Sequence, residues 1–227
     1  MPGVPPSPRL CLCGEGGIPC TFSLLIAFCS TPNPNPNTAM TPQLQSARLI
    51  LQPLQLSDAG QIQRLFPYWD VVQFLNSRVP WPFPEDGVLN FFREAALPAV
   101  ERGEEWHWTL RLKTNPAQIV GAIGLHTRPN HNLGFWLAPA HQGQGLMTEA
   151  VAAVNDYWFN ELNFPILRTT KAIANTTSRR ISEKMGMRVV ATTESDYVSG
   201  RLPSETWEIT AEEWQSWREQ NRRLTGQ

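Results

Sequence analysis

The sequence predicts one mixed α/β domain around a largely antiparallel sheet, and three observations predict it. Strand-like and helix-like patterns succeed one another in the order β-α-α-β-β-β-α-β-α-β-β from about residue 48. Three consecutive strands stand in the middle of that order, where a strictly alternating parallel sheet would interpose helices. The clearest strand, "EWHWTLRLK", alternates strictly, with Trp106, Trp108, Leu110 and Leu112 on one face and His107, Thr109, Arg111 and Lys113 on the other.

The elements follow in order. "RLILQPL" opens as a strand. "SDAGQIQRLF" continues as a helix with Ser57 or Asp58 placed to cap it. "VPWPFPEDG" is a proline-rich loop in which Trp81 and Phe83 offer large apolar surface. "EDGVLNFFREAALPAVERG" has helical spacing, and Pro98, which lacks an N–H, is expected to kink or split it. After "EWHWTLRLK", "TNPAQ" reads as a turn, "IVGAIGLHT" as a second strand and "NLGFWLA" as a third. A helix then begins behind "QGQG". Its buried face is marked by Met147, Ala150, Val151, Val154 and Trp158, and Pro165 ends it. "ILRTTKAIA" is a strand. "NTTSRRISEKMG" is a helix closed by Gly186 just past its end. "MRVVATTE" and "SETWEIT" are strands, and "AEEWQSWREQNRR" is a terminal helix. No internal repeat is present.

The 227 residues suffice for one compact domain with tails. A net charge of −1 gives no basic excess for nucleic acid and no acidic solvating tail, so the expected partners are small molecules or single protein surfaces. Residues 1–41 stand apart. "MPGVPPSPRL" and "STPNPNPNT" are rich in proline and lack periodicity, so a disordered or spurious extension is expected there, ahead of an ordered domain over 42–227. All four cysteines, Cys11, Cys13, Cys20 and Cys29, fall in this extension at irregular spacing, and the nearest histidine is His107. No metal site is expected from such a set. A body free of cysteine suits a reducing compartment, so a cytoplasmic location is expected. "TFSLLIAFCS" is short for a signal segment, and no run approaches the ~20 apolar residues of a membrane span.

The stretch "HQGQGLMTEAVAAV" carries the first chemistry. A helix start leaves backbone N–H groups without partners and bears a partial positive charge. Glycines just ahead of it remove the side chains that would keep a phosphate away, so Gly143 and Gly145 mark a candidate pyrophosphate cradle. Two familiar cradles do not fit. A P-loop needs a lysine and a Ser/Thr after its last glycine, where Leu146 and Met147 stand. The dinucleotide fingerprint needs a third glycine, where Thr148 stands, and an acidic residue about twenty positions on, where "LRTTKAIA" has none.

A third pattern fits. Gln142-x-x-Gly145 resembles the Q/R-x-x-G-x-G/A motif of the GNAT N-acetyltransferase superfamily, with Met147 where Gly or Ala is usual. "QGQGLMTEA" is similar to the Rim-type (RimJ/RimL-like) branch, the ribosomal-protein N-terminal acetyltransferases. A second block, "NTTSRRISEKMGM", resembles the family's later motif: Asn175, Ser178, Glu183, Lys184 and Gly186 fall in register, with Met187 in place of Phe. Ser182 occupies the position at which many GNAT enzymes carry a tyrosine acid. "ARLILQPLQLSDA" is like the opening of the same branch. The resemblance spans about residues 47–210.

It implies a mostly antiparallel mixed sheet, with helices on both faces and a splayed central parallel pair, here "NLGFWLA" and "ILRTTKAIA". It implies acetyl transfer from acetyl-CoA, as co-substrate, to a primary amine, either a small molecule or a protein N-terminus. Amides near Trp136 and Leu137 would meet the pantetheine and thioester. Those of Gln142, Gly143, Gln144, Gly145, Leu146 and Met147 would hold the pyrophosphate. Asn175 would bond the pantetheine arm, and Ser178 would approach the sulfur and protonate the thiolate. A primary amine must lose a proton before attack. His107, His126 and Glu194 are candidates to take it, each through water. Arg179 and Arg180 are candidates for the 3′-phosphate, and Trp81, Phe83 and Trp106 could line an acceptor pocket. A monomer or homodimer is expected. The rival from another class is a non-catalytic acyl-CoA-binding regulatory module that kept the cradle and lost turnover.

Overall fold

The computed structural model describes residues 40–225. The four cysteines and nearly all of the expected extension lie outside the described residues.

Two antiparallel ladders carry the fold. The first contains β1 (Leu44–Gln45), β2 (Leu49–Pro53), β3 (Glu105–Leu112), β4 (Asn115–His126) and β5 (Leu133–Leu137) in chain order. The second contains β6 (Ile166–Ala172), β7 (Arg188–Tyr197) and β8 (Gly200–Thr210) in the order β6-β8-β7. The strict alternation of β3 does what a period of two requires: Trp106, Trp108 and Leu110 are fully buried on one face.

Helices cover both faces. On one lie α1 (Ala59–Leu65), α2 (Trp69–Val72), α3 (Gly87–Phe91) and α4 (Leu97–Glu101), with a small core of Ile62, Val88, Phe92, Ala96 and Ile119. On the other lie α5 (Leu146–Asp156) and α7 (Ala211–Thr225), with α6 (Thr176–Lys184) beside the second ladder. The larger core joins Trp106, Trp108 and Leu125 to the apolar stripe of α5, here Met147, Ala150, Val151 and Val154, with Trp158 just beyond its end. Trp214 of α7 completes it, with its Nε1 donating to Asp156 Oδ1 at 3.0 Å. Among the described residues no helix is long and apolar enough to cross a membrane.

The stretch expected to be split by Pro98 is interrupted: a wide π turn over Phe92–Ala96 separates α3 from α4, and Pro98 sits in the first turn of α4. Several other local expectations are corrected. The turn expected over "TNPAQ" shrinks to Lys113 and Thr114, because Asn115 already pairs with Leu112. Asp58 stands at the N-cap of α1 without a side-chain cap bond there, and instead closes the capping box of the short turn Leu56–Asp58. It accepts from the Gln55 amide at 2.9 Å and holds Arg111 at 2.7 Å. The strands expected over "MRVVATTE" and "SETWEIT" run further than their patterns suggest: β7 and β8 extend toward each other and turn at Val198 and Ser199. β7 is exposed along most of its length, so burial left no alternation to read there. Gly186 does end α6, at φ +75°.

Between the ladders, the start of β5 meets the middle of β6 and nothing beyond it. The Asn132 amide donates to Arg168 O at 2.7 Å, the Arg168 amide to Asn132 Oδ1 at 2.8 Å, and Thr169 Oγ1 to Leu133 O at 3.1 Å. Past that point no ladder bond links them, and their later residues part around a cleft.

Candidate active site

The cleft has a volume of about 970 Å³, and its walls come from both parted strands. Phe135, Trp136 and Leu137 stand on one side and Thr170, Lys171 and Ala172 on the other. One end is closed by the glycine turn into α5. The other is reached from the segment after α2 and from the β7–β8 hairpin, through Asn76, Arg78 and Asp196.

The glycine turn is built for a backbone that other residues resist. Gly143 and Gly145 have φ of +74° and +77°, and Gly145 is the residue from which α5 starts. Neither glycine would bring a Cβ within 3.4 Å of a neighbour, so the requirement is conformational. Among the described residues the amides of residues 143–148 have no acceptor. The Gln142 amide does, since it donates to Pro139 O at 3.2 Å, so the open amides begin one residue later than expected. The Gln142 side chain ties back to Leu137 O at 2.9 Å, and the Gln144 side chain to Ala140 O at 3.2 Å. A carboxylate in the first turn of α5 would repel a phosphate. Glu149 is restrained by Ser46 Oγ at 2.8 Å and by Arg48, whose guanidinium also reaches Gln144 O at 2.8 Å. Burial alone would raise the Glu149 carboxyl, but these bonds outweigh it and hold the group below its ordinary value. An anionic group with a flexible arm fits this donor set.

On β5 the bonding alternates. Ala138 N donates to Val120 O and His126 N to Asn132 O, both at 2.9 Å, so residues 134 and 136 face β4. The Trp136 amide is therefore committed to the ladder, and the open edge toward β6 belongs to Phe135 and Leu137. Trp136 contributes its side chain, which lies edge-on to Phe66 at 5.5 Å.

The opposite wall brings together Asn175, Ser178 and a residue that sequence reasoning missed, Lys171. Asn175 caps α6, with Oδ1 accepting from the Ser178 amide at 3.1 Å. Ser178 Oγ accepts from Lys171 Nζ at 3.0 Å. Lys171 is 6% exposed and lies 4.9 Å over the Phe135 ring. Burial pushes its ammonium down to about 7. A lysine within an alternating strand reads as a solvent-facing charge, so only the packing of α6 over β6 reveals it. Arg179 is occupied by Glu205, at 2.9 and 3.2 Å, and leaves Arg180 alone on the cleft wall. Ser182 is buried and does not reach the cleft.

Other expected residues stand elsewhere. Trp106 is fully buried in the large core. Trp81 is exposed against Trp69, and Phe83 packs on Phe66 at 5.1 Å. No aromatic acceptor pocket forms from the three. Glu194 points to solvent and pairs with Arg201 at 2.9 Å. His107 lies outside the cleft in a separate cluster: its Nε2 is 2.7 Å from buried Glu105, which also holds Arg128, and His126 Nδ1 is 3.4 Å away. Burial would raise the Glu105 carboxyl, yet the bonds from His107 and His126 keep it well below the carboxylate range. Burial also lowers His126. Glu105, His107 and His126 bring three ligand atoms within 4.8 Å of one another, with the Arg128 guanidinium on the other oxygen of the carboxylate. One histidine does line the cleft, His131, lowered by burial and by the charges of Arg128 and Arg78.

Comparison with known proteins agrees with this geometry. The family model described as "Acetyltransferase (GNAT) domain" matches residues 48–188. A curated relative from Bacillus subtilis (strain 168), named Probable N-acetyltransferase YjcK, is 32% identical over 92 residues, which is 38% of this chain and 50% of that one. The match thus spans half the length of that relative. Among solved structures, RimJ of Mycobacterium smegmatis in complex with CoA-disulfide superposes with a TM-score of 0.66 at 17% identity, over 77% of this chain and 90% of that one. A GNAT-family acetyltransferase from Bacillus anthracis gives 0.62 at 20% identity, over 75% and 99%. At these identities the likeness is one of fold.

Proposed function

Because the chain belongs to the GNAT acetyltransferase family, we propose that it transfers an acetyl group from acetyl-CoA to a primary amine. The observation that carries this reading is one cleft with unpaired helix-start amides at one end and the Asn175–Ser178 wall in its middle. The CoA compound named for the RimJ neighbour supports the same donor here. The amides of residues 143–148 hold the pyrophosphate, the open edge of β5 at Phe135 and Leu137 meets the pantetheine, and Asn175 bonds the arm through the amide nitrogen its cap leaves over. Acetyl-CoA supplies the activated acyl group. The protein orients it, keeps water from the thioester, and offers the Ser178 hydroxyl to the sulfur as the C–S bond breaks.

The acceptor enters between the segment after α2 and the β7–β8 hairpin. A protein N-terminal α-amine suits this opening, which is edged by Arg78 and Asp196; a small-molecule amine is the other acceptor class. His131, held toward its neutral form, takes the proton that the amine must shed. The cysteine-free body is consistent with work in the cytoplasm.

Thiol release from acetyl-CoA, followed against a panel of peptides with free N-termini and of small amines, tests the reading. Release with at least one class is expected. Tight acetyl-CoA binding without release for any amine would identify a regulatory acyl-CoA-binding module instead.

A further inference from the structure

Buried lysines nearly always find a carboxylate, and Lys171 does not. Across the ladder from it stands Glu205, but Arg179 holds both oxygens of that carboxylate. The neighbours of its ammonium are the Ser178 hydroxyl from α6 and the Phe135 ring from β5. Arg180, Lys184 and Asp196 also line the cleft, all three exposed to water. A cation kept in such a place costs stability, because desolvation is repaid only by one hydroxyl and one ring. Folding tolerates that cost where the charge has a use.

The bond between the two residues has a direction. An ammonium can only donate, so Ser178 Oγ is the acceptor. The hydroxyl's own proton must then point elsewhere, and among the described residues it has no other partner. Ser178 lines the cleft, so the space left for that proton is the cleft itself.

We infer that Lys171 is a proton reserve behind Ser178, acting through the serine hydroxyl on the sulfur of the departing CoA. The inference rests on the acetyl-transfer reading. The amine nitrogen bonds to the acetyl carbon, and the tetrahedral adduct collapses as the C–S bond breaks and sulfur takes the electron pair. Sulfur receives the Ser178 hydroxyl proton while Lys171 Nζ passes a proton to Ser178 Oγ. Lys171 is left neutral and recovers a proton from water before the next cycle. The proton shed by the attacking amine goes to His131, which also lines the cleft. Lys171 touches no reacting atom, so it is a positioning residue whose charge sets how readily Ser178 donates. An ammonium that titrates near neutrality is matched to the task, since it gives its proton up and regains it at working pH.

The experiment compares Lys171→Met, Ser178→Ala and the double variant, using the full chain with acetyl-CoA and an active amine. Lys171→Met is expected to lower kcat at least about tenfold with little change in KM for acetyl-CoA. It should also shift or abolish the alkaline limb of the kcat–pH profile. In the Ser178→Ala background the lysine change should add nothing, because the relay is already cut. Additive losses, or an unchanged profile, would overturn the inference while leaving acetyl transfer intact.

A second measurement needs no acceptor. The thiol of bound CoA is titrated by thiolate absorbance in the ultraviolet. It should ionise at lower pH in the wild type than in either single variant. Identical titrations in all three proteins overturn the inference, whether or not an acceptor has been found. Failure of CoA to bind the wild type at all would instead remove the acetyl-transfer reading beneath it.

Discussion

Two buried ionic sites lie on the two ladders of this fold, and they have been finished differently. On β3, Glu105 is saturated, with His107 on one oxygen and Arg128 on the other. On β6, Lys171 faces a hydroxyl and an aromatic ring across an open cleft. The glycine turn belongs with the second kind, since its amides are left without acceptors. A carboxylate saturated in this way has its partners inside the fold and reads as architecture. Groups left short of partners along one cavity mark where a ligand completes the structure.

The difference can be broken most forcefully at Glu105. Glu105→Ala leaves His107 half-buried without its anion, and loss of a buried ion-pair partner costs ~3–5 kcal/mol. Arg128 is 59% exposed and can return to water, so about 3 kcal/mol is expected, read from urea unfolding. Turnover per folded molecule should be retained at a temperature where the variant is native. A loss of turnover with the fold intact would mean that the two sites are not separate.

Next comes the cleft side. Gly145→Asp places a carboxylate among the open amides. Aspartate adopts left-handed backbone more readily than most residues and favours helix starts, so the strain it adds at Gly145 is small beside the effect of its charge. Affinity for acetyl-CoA should fall at least about a hundredfold, which is about 2.7 kcal/mol. Calorimetry that found undiminished affinity would remove the pyrophosphate from this turn.

The unpaired charge has a signature in stability. Lys171 binds its proton less tightly in the folded state than its ordinary 10.5, down to about 7. Between those two values the unfolded chain holds the proton and the folded chain does not, so stability rises with pH across that window. Below about 7 the full penalty is present. From pH 7.0 to 8.5 the expected gain is about 2 kcal/mol, at ~1.36 kcal/mol per unit. Lys171→Met should be more stable at pH 7.0 and should lose that part of the slope. Parallel curves for the two proteins would show that Lys171 keeps its proton and has a partner after all. The saturated cluster gives no such slope here, because Glu105 is held ionised far below this range.

Much of this was legible in the chain. The glycine turn could be read because its demand is local: positive φ at Gly143 and Gly145, then a helix start. The order of strands and helices followed from periodicity, and Asn175 and Ser178 from their place at the start of α6. What escaped depends on how elements pack. Lys171 sits in a polar-looking strand, and its burial exists only once α6 lies over β6. Trp81, Phe83 and Trp106 are alike in composition, yet one is exposed, one packs beneath α3 and one fills the core. Residue type cannot sort those fates. The parting of β5 from β6 into two ladders was implied by the family resemblance and by no local pattern in either strand.

His107 offers the finest test of the comparison, because the chain alone nominated it as a base and the structure puts it with the saturated cluster. Its ring nitrogen is 2.7 Å from Glu105 and its ring stands 5.2 Å from that of His126 and 6.4 Å from Phe91, outside the cleft. His107→Gln keeps a hydrogen-bond donor for Glu105 and removes the capacity to carry a proton. If saturation means architecture, kcat/KM should stay within about twofold, since a factor of two is only ~0.4 kcal/mol. The pH profile should keep its shape, and thermal stability should fall slightly through the altered contact with Glu105. A tenfold drop in kcat with an altered acid limb would mean that a proton leaves the cleft by way of β3, and the line drawn between the two sites would have to be redrawn around His107.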